Sequence, residues 1–260
     1  MTKKPSLVSR RALSGMAAVA VFALSAMTGP SLADTPVYKV GSTTSGVPFT
    51  FLDVKKNSVQ GVMVDIIEAI GEKEGFSADV QATQWSALIP SVTSGKIDII
   101  AAAMYATPKR AEIVDFTETV YPYGEGLFVA TDDTADYTKP EDLAGKTVGV
   151  QVGTAYVEPM ESLGVFKEVK IYDAIADIMR DVQLGRIDAG FADQPIVAYQ
   201  VAQGAAKVRL VKTYESTVVG EVAIAVNKGN TELLDTLNSG LAAIKSSGEL
   251  DEILVKWGLK

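Results

Sequence analysis

The chain has 260 residues and contains neither histidine nor cysteine. Those two absences exclude zinc sites built on His or Cys, Ser-His and Cys-His catalytic pairs, disulfides, haem ligation and iron–sulfur clusters. Any chemistry falls to carboxylates, Lys, Arg, Tyr or hydroxyls, and no metal or cofactor is expected. A lipid anchor on a lipoprotein cysteine is not expected either. Aromatic residues are sparse at 7%, with two tryptophans, Trp85 and Trp257. Positive charge is also short, since 24 Lys+Arg face 32 Asp+Glu. What is present is ordinary globular composition, 47% hydrophobic and 22% charged, at a length that allows one or two domains and a sizeable core.

Residues 1–33 differ from the rest. Lys3, Lys4, Arg10 and Arg11 precede the apolar stretch Ala12 to Met27, and Gly29-Pro30 with Ser31-Leu32-Ala33 close it. This order predicts a cleavable secretory signal peptide cut after Ala33, and therefore a periplasmic protein. The apolar stretch is Ala-rich, carries Ser14, Gly15 and Ser25, and is shorter than the ~20 residues a bilayer span needs. Ser9-Arg10-Arg11 with Leu13 resembles a twin-arginine export signal, although paired arginines also occur in ordinary signals, so both routes stay open. Loss of this segment removes four positive charges and no negative one, leaving a formal charge of −12. Nucleic acid is not an expected partner.

Val37 to Ser42 reads as a strand entering a polar loop, followed by a hairpin-like stretch through Phe51 and a turn over Asp53 to Asn57. From Gly61 the period changes. Met63, Ile66, Ile67 and Ile70 form a helical stripe with Asp65, Glu68, Glu72 and Lys73 opposite, and Gly75 is the stop. Strand Ser77 to Gln81, helix Ser86 to Thr93 and strand Ile97 to Ala102 complete a β-α-β-α-β series. Later come strand Thr147 to Val152, a helix expected from about Ala155, a helix over Ala174 to Gln183, and a strand ending at Ala192. Gly185-Arg186-Ile187-Asp188 nearly repeats Gly95-Lys96-Ile97-Asp98, each between a helix and a strand. Two halves built alike are expected, with ligands at the carboxyl ends of the strands. Strands over Val208 to Val211 and Glu221 to Val226 and a helical terminus carrying Leu233, Leu237, Leu241 and Ile244 finish the chain. No low-complexity linker divides it, which suits two lobes joined by crossing strands.

With these residues in place, the mature chain resembles the periplasmic solute-binding proteins of the polar amino-acid ABC importer family, the family 3 bacterial extracellular solute-binding proteins. The matching stretches are Val47 to Phe51, Gly61 to Ile70 with Met63 where an acid is usual, Thr107-Pro108-Lys109-Arg110 with Val114 to Thr117, Gly185 to Asp193, and Leu254 to Gly258. The resemblance implies an α/β, two-lobed fold, each lobe a mixed sheet flanked by helices, with a ligand cleft between lobes and two crossing hinge strands. It places residues 34–125 in lobe 1, 126–218 in lobe 2, and 219–260 back in lobe 1.

Arg110, just past a buried strand, can grip a carboxylate through two parallel hydrogen bonds. In the family this arginine holds the ligand's α-carboxylate. Gly153-Thr154-Ala155 puts a capping hydroxyl and free N–H groups at an expected helix start, an anion site without a charged side chain. The resemblance gives Thr154 and Ala155 to the same carboxylate from the other lobe. It gives Asp193, and the carbonyl of Ala103, to the α-ammonium, and Trp85 to stacking on the ligand side chain; an ordinary capping aspartate and a core tryptophan are the plainer readings. Tyr105 replaces a small hydroxyl residue, so its N–H still serves the carboxylate while its ring narrows or reshapes the pocket. Gly46 stands where a second aromatic is frequent, and Thr43 where members recognising amide or cationic side chains have an acid. A roomier pocket on that face follows, with no acid evident for a cationic side chain.

The leading expectation is a non-catalytic protein that closes on an amino acid or similar zwitterion and delivers it, as a monomer, to a membrane permease. Two other classes stay open. One is a periplasmic enzyme on the same fold, of the cyclohexadienyl dehydratase kind, with Glu125, Asp193 or Tyr105 as proton donor or base. The other is a ligand-presenting sensory protein.

Overall fold

The computed structural model describes Met1, residues 35–204 and residues 207–260. Apart from Met1, the expected signal segment and its cleavage point lie outside the described residues. The first part of the chain forms β1 (Val37–Ser42), β2 (Ser45–Gly46), β3 (Thr50–Asp53), β4 (Ser58–Gln60), α1 (Val62–Glu74) and β5 (Ser77–Ala82). A 3-10 turn at Trp85–Ala87 leads into α2 (Leu88–Thr93), then β6 (Ile99–Tyr105), α3 (Pro108–Ala111), β7 (Val114–Phe116) and β8 (Tyr121–Ala130). Next come β9 (Thr147–Gln151), α4 (Val157–Leu163), β10 (Glu168–Tyr172), α5 (Ile175–Gln183), β11 (Ala189–Asp193) and α6 (Gln194–Ala202). The chain ends with β12 (Val208–Leu210), β13 (Val219–Asn227), α7 (Thr231–Ser247) and α8 (Glu249–Lys256).

The sequence echo is repeated in hydrogen bonds. Gly95 and Gly185 both take left-handed backbone, φ 73° and 66°, which a glycine adopts without a Cβ clash and which ends α2 and α5. Asp98 N donates to Lys39 O and its carboxylate accepts from Lys39 N, both at 2.8 Å. Asp188 does the same with Thr147, at 2.9 and 2.7 Å. Each aspartate thereby locks a strand onto the first strand of its own half. The strand orders match too: β5-β1-β6 and β10-β9-β11 are parallel sets, each bordered by an antiparallel strand, β13 on β6 and β8 on β11. β2, β3 and β4 form a small separate sheet. The chain is thus a mixed α/β protein with two similarly built lobes.

β8 belongs to both. Tyr121 to Gly124 pair with Val219 to Val222 of β13, while Glu125 to Val129 pair with β11. At that crossing the Glu125 carboxylate is fully buried and accepts hydrogen bonds from Tyr214 Oη (2.7 Å), Thr217 N (2.8 Å), Thr217 Oγ1 (2.9 Å) and Val218 N (2.8 Å). α1 buries the predicted stripe of Met63, Ile66, Ile67 and Ile70 in one cluster with Leu233, Leu237, Leu241 and Ile244 of α7, so the terminal helices close the first lobe's core.

Candidate functional site

β6 and β11 hold equivalent places in the two halves, and residues at their carboxyl ends line one cleft of about 420 Å³. Such strand ends are where open α/β sheets leave room for ligands. All eight residues singled out in the sequence line it: Thr43, Trp85, Ala103, Tyr105 and Arg110 from one side, Thr154, Ala155 and Asp193 from the other.

Arg110 sits on α3, a single turn begun by Pro108 and capped by Thr107, whose Oγ1 accepts from Arg110 N at 3.3 Å. Its guanidinium donates from Nη1 to Tyr105 O (2.7 Å) and from Nη2 to Gly153 O (2.9 Å), and Cζ lies 5.5 Å from the Trp85 ring centroid. The cation thus touches both walls. Burial lowers its pKa, opposed by the neighbouring Tyr156, Asp193, Tyr123 and Tyr105.

Asp193 ends β11 and occupies the N-cap position of α6, yet its side chain makes no capping bond. Its Oδ1 instead accepts from Tyr156 Oη at 2.9 Å and, at closer range, from Tyr123 Oη. Burial raises its pKa, while those two phenols and Arg110 pull the other way. Tyr123 Oη also lies 3.2 Å from Ala103 O. Ala103 has a left-handed φ of 52°, where a Cβ costs roughly 1–2 kcal/mol. It lies where the β6–β13 register breaks between Ala223 and Ala225.

Several of these expectations need correcting. The Thr154 hydroxyl caps no helix: it donates to Gln151 O at 2.7 Å, and α4 begins at Val157, leaving Ala155, Tyr156 and Val157 N–H without partners among the described residues. The Tyr105 ring does not project into the pocket: it is 4% exposed and lies against Gly220, where an added Cβ would stand 2.0 Å from Tyr105 Cδ2. The space released by Gly46 is bounded by Ile196 of α6, whose Cδ1 would be 3.5 Å from a Cβ there. Acids do reach the cleft: Asp173 and Asp177 line it, Asp177 paired with Arg180 at 3.0 Å. Thr43 contributes an Oγ1 that is 2.5 Å from Thr50 Oγ1. Glu125, one of the three candidate proton donors or bases for an enzyme, does not line this cleft; its oxygens hold the crossing strands.

Sequence reasoning missed Tyr123, Tyr156 and Phe49. Tyr105, Tyr123 and Tyr156 have ring centroids 4.9 and 5.9 Å apart, and Phe49 stacks on Tyr123 at 5.1 Å and 27°. The signals available were Tyr121-Pro122-Tyr123 and a tyrosine two places after Thr154, neither of which says which carboxylate a phenol will meet.

Residues 38–260 match the family described as bacterial extracellular solute-binding proteins, family 3. The chain is 30% identical over 228 residues to a probable histidine-binding protein of Campylobacter jejuni, covering 87% of this chain and 86% of that one. It is 27% identical over 259 residues to the L-cystine-binding protein TcyJ of Escherichia coli (strain K12), covering 96% of each. Among solved structures it resembles the ancestral amino acid-binding protein AncCDT-1, a precursor of cyclohexadienyl dehydratase, with a TM-score of 0.76, 28% identity, and coverage of 85% and 94%.

Proposed function

We propose, from the premise that the chain belongs to the bacterial extracellular solute-binding proteins of family 3, that it captures an amino acid or amino-acid-like zwitterion by lobe closure and delivers it to the permease of an ABC importer. One lobe comprises residues 34–125 and 219–260, the other 126–218, and β8 and β13 carry the hinge between them. The division is supported by β8 pairing with β13 before Glu125 and with β11 from Glu125 onward. Export through the segment 1–33 and a periplasmic place of action accord with this role.

The observation that carries the reading is the placement of one cation and one anion, Arg110 and Asp193, on opposite walls of a single cleft. Burying both ends of a zwitterion is favourable only when each finds a partner. Arg110 takes the carboxylate, joined by the free N–H of Ala155 from the other lobe and by the N–H of Tyr105, while Thr154, whose hydroxyl and N–H both turn to Gln151 O, shapes the turn that presents Ala155. Asp193, beside the Ala103 carbonyl, takes the nitrogen. Trp85 supplies an aromatic face for the ligand side chain, and Thr43 with Asp173 and Asp177 makes its far wall polar. A polar side chain accords with the histidine- and cystine-binding relatives.

We infer binding without turnover. Catalysis would need a proton donor or base at the substrate; of the three candidates Glu125 is committed elsewhere, the Tyr105 hydroxyl donates to Tyr123 O at 2.7 Å, and Asp193, which does line the cleft, is given to the ligand nitrogen. A thermal-shift screen of the purified chain against amino acids and their derivatives tests the reading. A ligand at about 100 times its Kd adds ~2.7 kcal/mol to folding, and the absence of any shift across the screen would count against it.

A further inference from the structure

A ligand nitrogen that spans the Asp193 carboxylate and the Ala103 carbonyl must lie against a third oxygen, because Tyr123 Oη touches both. It contacts Asp193 Oδ1 and lies 3.2 Å from Ala103 O. A phenol has a single hydrogen. It goes to the carboxylate, the closer and charged acceptor, and leaves the Ala103 carbonyl open. Burial raises the Tyr123 pKa, so the phenol keeps that hydrogen and stays neutral. What Tyr123 turns to a nitrogen beside Ala103 O is therefore a lone pair, and an oxygen that donates to an anion is the better acceptor for a cation. Asp193 Oδ1 takes bonds from Tyr123 and, at 2.9 Å, from Tyr156, while Oδ2 takes none among the described residues. Three acceptors thus share one corner, Asp193 Oδ2, Ala103 O and Tyr123 Oη, and all three residues line the cleft. The other two phenols do not compete for it. Tyr105 gives its hydrogen to Tyr123 O at 2.7 Å, and Tyr156 Oη contacts Asp193 Oδ1 and the Tyr105 hydroxyl rather than Ala103.

We propose that Tyr123 is a specificity-determining residue whose oxygen accepts the third N–H of a primary ammonium, so that the cleft selects free α-amino acids over their N-alkylated, hydroxy and keto counterparts. The inference rests on the reading above, in which Arg110 holds the carboxylate and Asp193 the nitrogen. A primary ammonium brings three N–H groups to three acceptors. A secondary ammonium brings two and sets its alkyl group where the third N–H belongs, a hydroxyl brings one, and a keto oxygen brings none; each leaves buried acceptors unmet. The Tyr123 ring is held in place for this contact: it is 7% exposed, stacked on Phe49 at 5.1 Å and packed on Tyr105 at 4.9 Å. Little ordering is left to be done when a ligand arrives. Two of the acceptors stand on β6 and β8 and the third at the end of β11, so the nitrogen, like the carboxylate, draws on both walls of the cleft.

The test is calorimetry of the purified chain and two variants with matched probes: L-arginine, L-histidine and L-glutamine, each against its Nα-methyl form, and glycine against N-methylglycine. For the probes that bind, the primary member is expected to be about tenfold tighter or more in the parent chain, the fold-change of one unmade buried hydrogen bond. Tyr123→Phe keeps the stacked ring and removes the acceptor. The primary member should then lose more than the methylated one, and their ratio should fall roughly threefold or more. Tyr156→Phe removes a donor to the same Asp193 oxygen but no acceptor at the nitrogen, so it should weaken both members alike and leave the ratio where it was. Equal binding of both members by the parent chain, a ratio unmoved by Tyr123→Phe, or a ratio lowered as far by Tyr156→Phe overturns the inference while leaving the amino-acid reading intact. Binding of neither series, in a chain shown to be folded by its cooperative melt, overturns both.

Discussion

Replacing Arg110 with alanine should weaken ligand binding by about 3–5 kcal/mol, roughly a hundredfold to several thousandfold in Kd, with the fold retained. The guanidinium directs one N–H at Tyr105 O and one at Gly153 O, and the rest of its donor fork is free for a ligand. A carboxylate taking two charge-assisted bonds, each contributing about 1.5–3 kcal/mol, would lose about 3–6 kcal/mol, less what water entering the site restores. The fold should barely register the change. α3 keeps its Thr107 cap through the backbone N–H of residue 110, alanine is a good helix former, and the two released carbonyls belong to residues on or beside a cleft that water can enter. Arg110→Lys retains a point charge without the fork and should fall between the two. Calorimetry with the ligand found by thermal shift, alongside a circular-dichroism melt of each variant, measures both sides. An alanine variant that melts like the parent and binds within threefold of it would move the carboxylate away from Arg110.

Three further outcomes are expected. Because burial raises the Asp193 pKa and only its ionised form attracts a cationic nitrogen, affinity should decline on acidification at a higher pH than an ordinary exposed carboxylate would cause. The groups facing it, Tyr123, Tyr156 and Arg110, keep their protonation as pH falls, so Asp193→Asn should bind weakly with a flat profile; a flat profile in the parent chain refutes the assignment. Glu125→Ala leaves the N–H groups of Thr217 and Val218 and two hydroxyls without their acceptor and should cost about 3–5 kcal/mol in urea unfolding, a loss under 1 kcal/mol being incompatible with the role given to it. Finally, ligand-induced fluorescence should vanish in Trp85→Phe and persist in Trp257→Phe, since Trp85 lines the cleft whereas the Trp257 indole donates to Asp65 at 2.7 Å outside it. The reverse pattern would relocate the pocket.

Much of the scaffold was readable because its causes are local. The α1 stripe is a period of apolar side chains, and the stop at Gly75 is a left-handed glycine. The repeated Gly-Lys/Arg-Ile-Asp segment encodes the same helix exit and the same aspartate clasp in both halves. β8 escaped notice because Pro122, Gly124 and Gly126 break the alternation that marks a strand, and its pairing changes partner midway. α6 escaped because its Ile, Val and Ala surround Pro195 without a polar face to set a period, and β10 because Glu168 to Tyr172 is short and partly exposed.

Local rules thus settled which segments are helix or strand, and the motifs placed Arg110, Asp193 and Trp85 at loop ends where a cleft could gather them. They could not settle what each group does once gathered. Asp193 meets Tyr123 and Tyr156, Thr154 turns back to Gln151, the Tyr105 ring lies on Gly220, and Ile196 bounds the space beside Gly46. Apart from the Thr154 turn, these contacts join residues far apart in the chain, at separations set by how the strands cross at Glu125. Whether a hydroxyl reaches a carboxylate depends on a few tenths of an ångström, a precision that hydrophobic period and glycine placement do not carry and that packing of the two halves does.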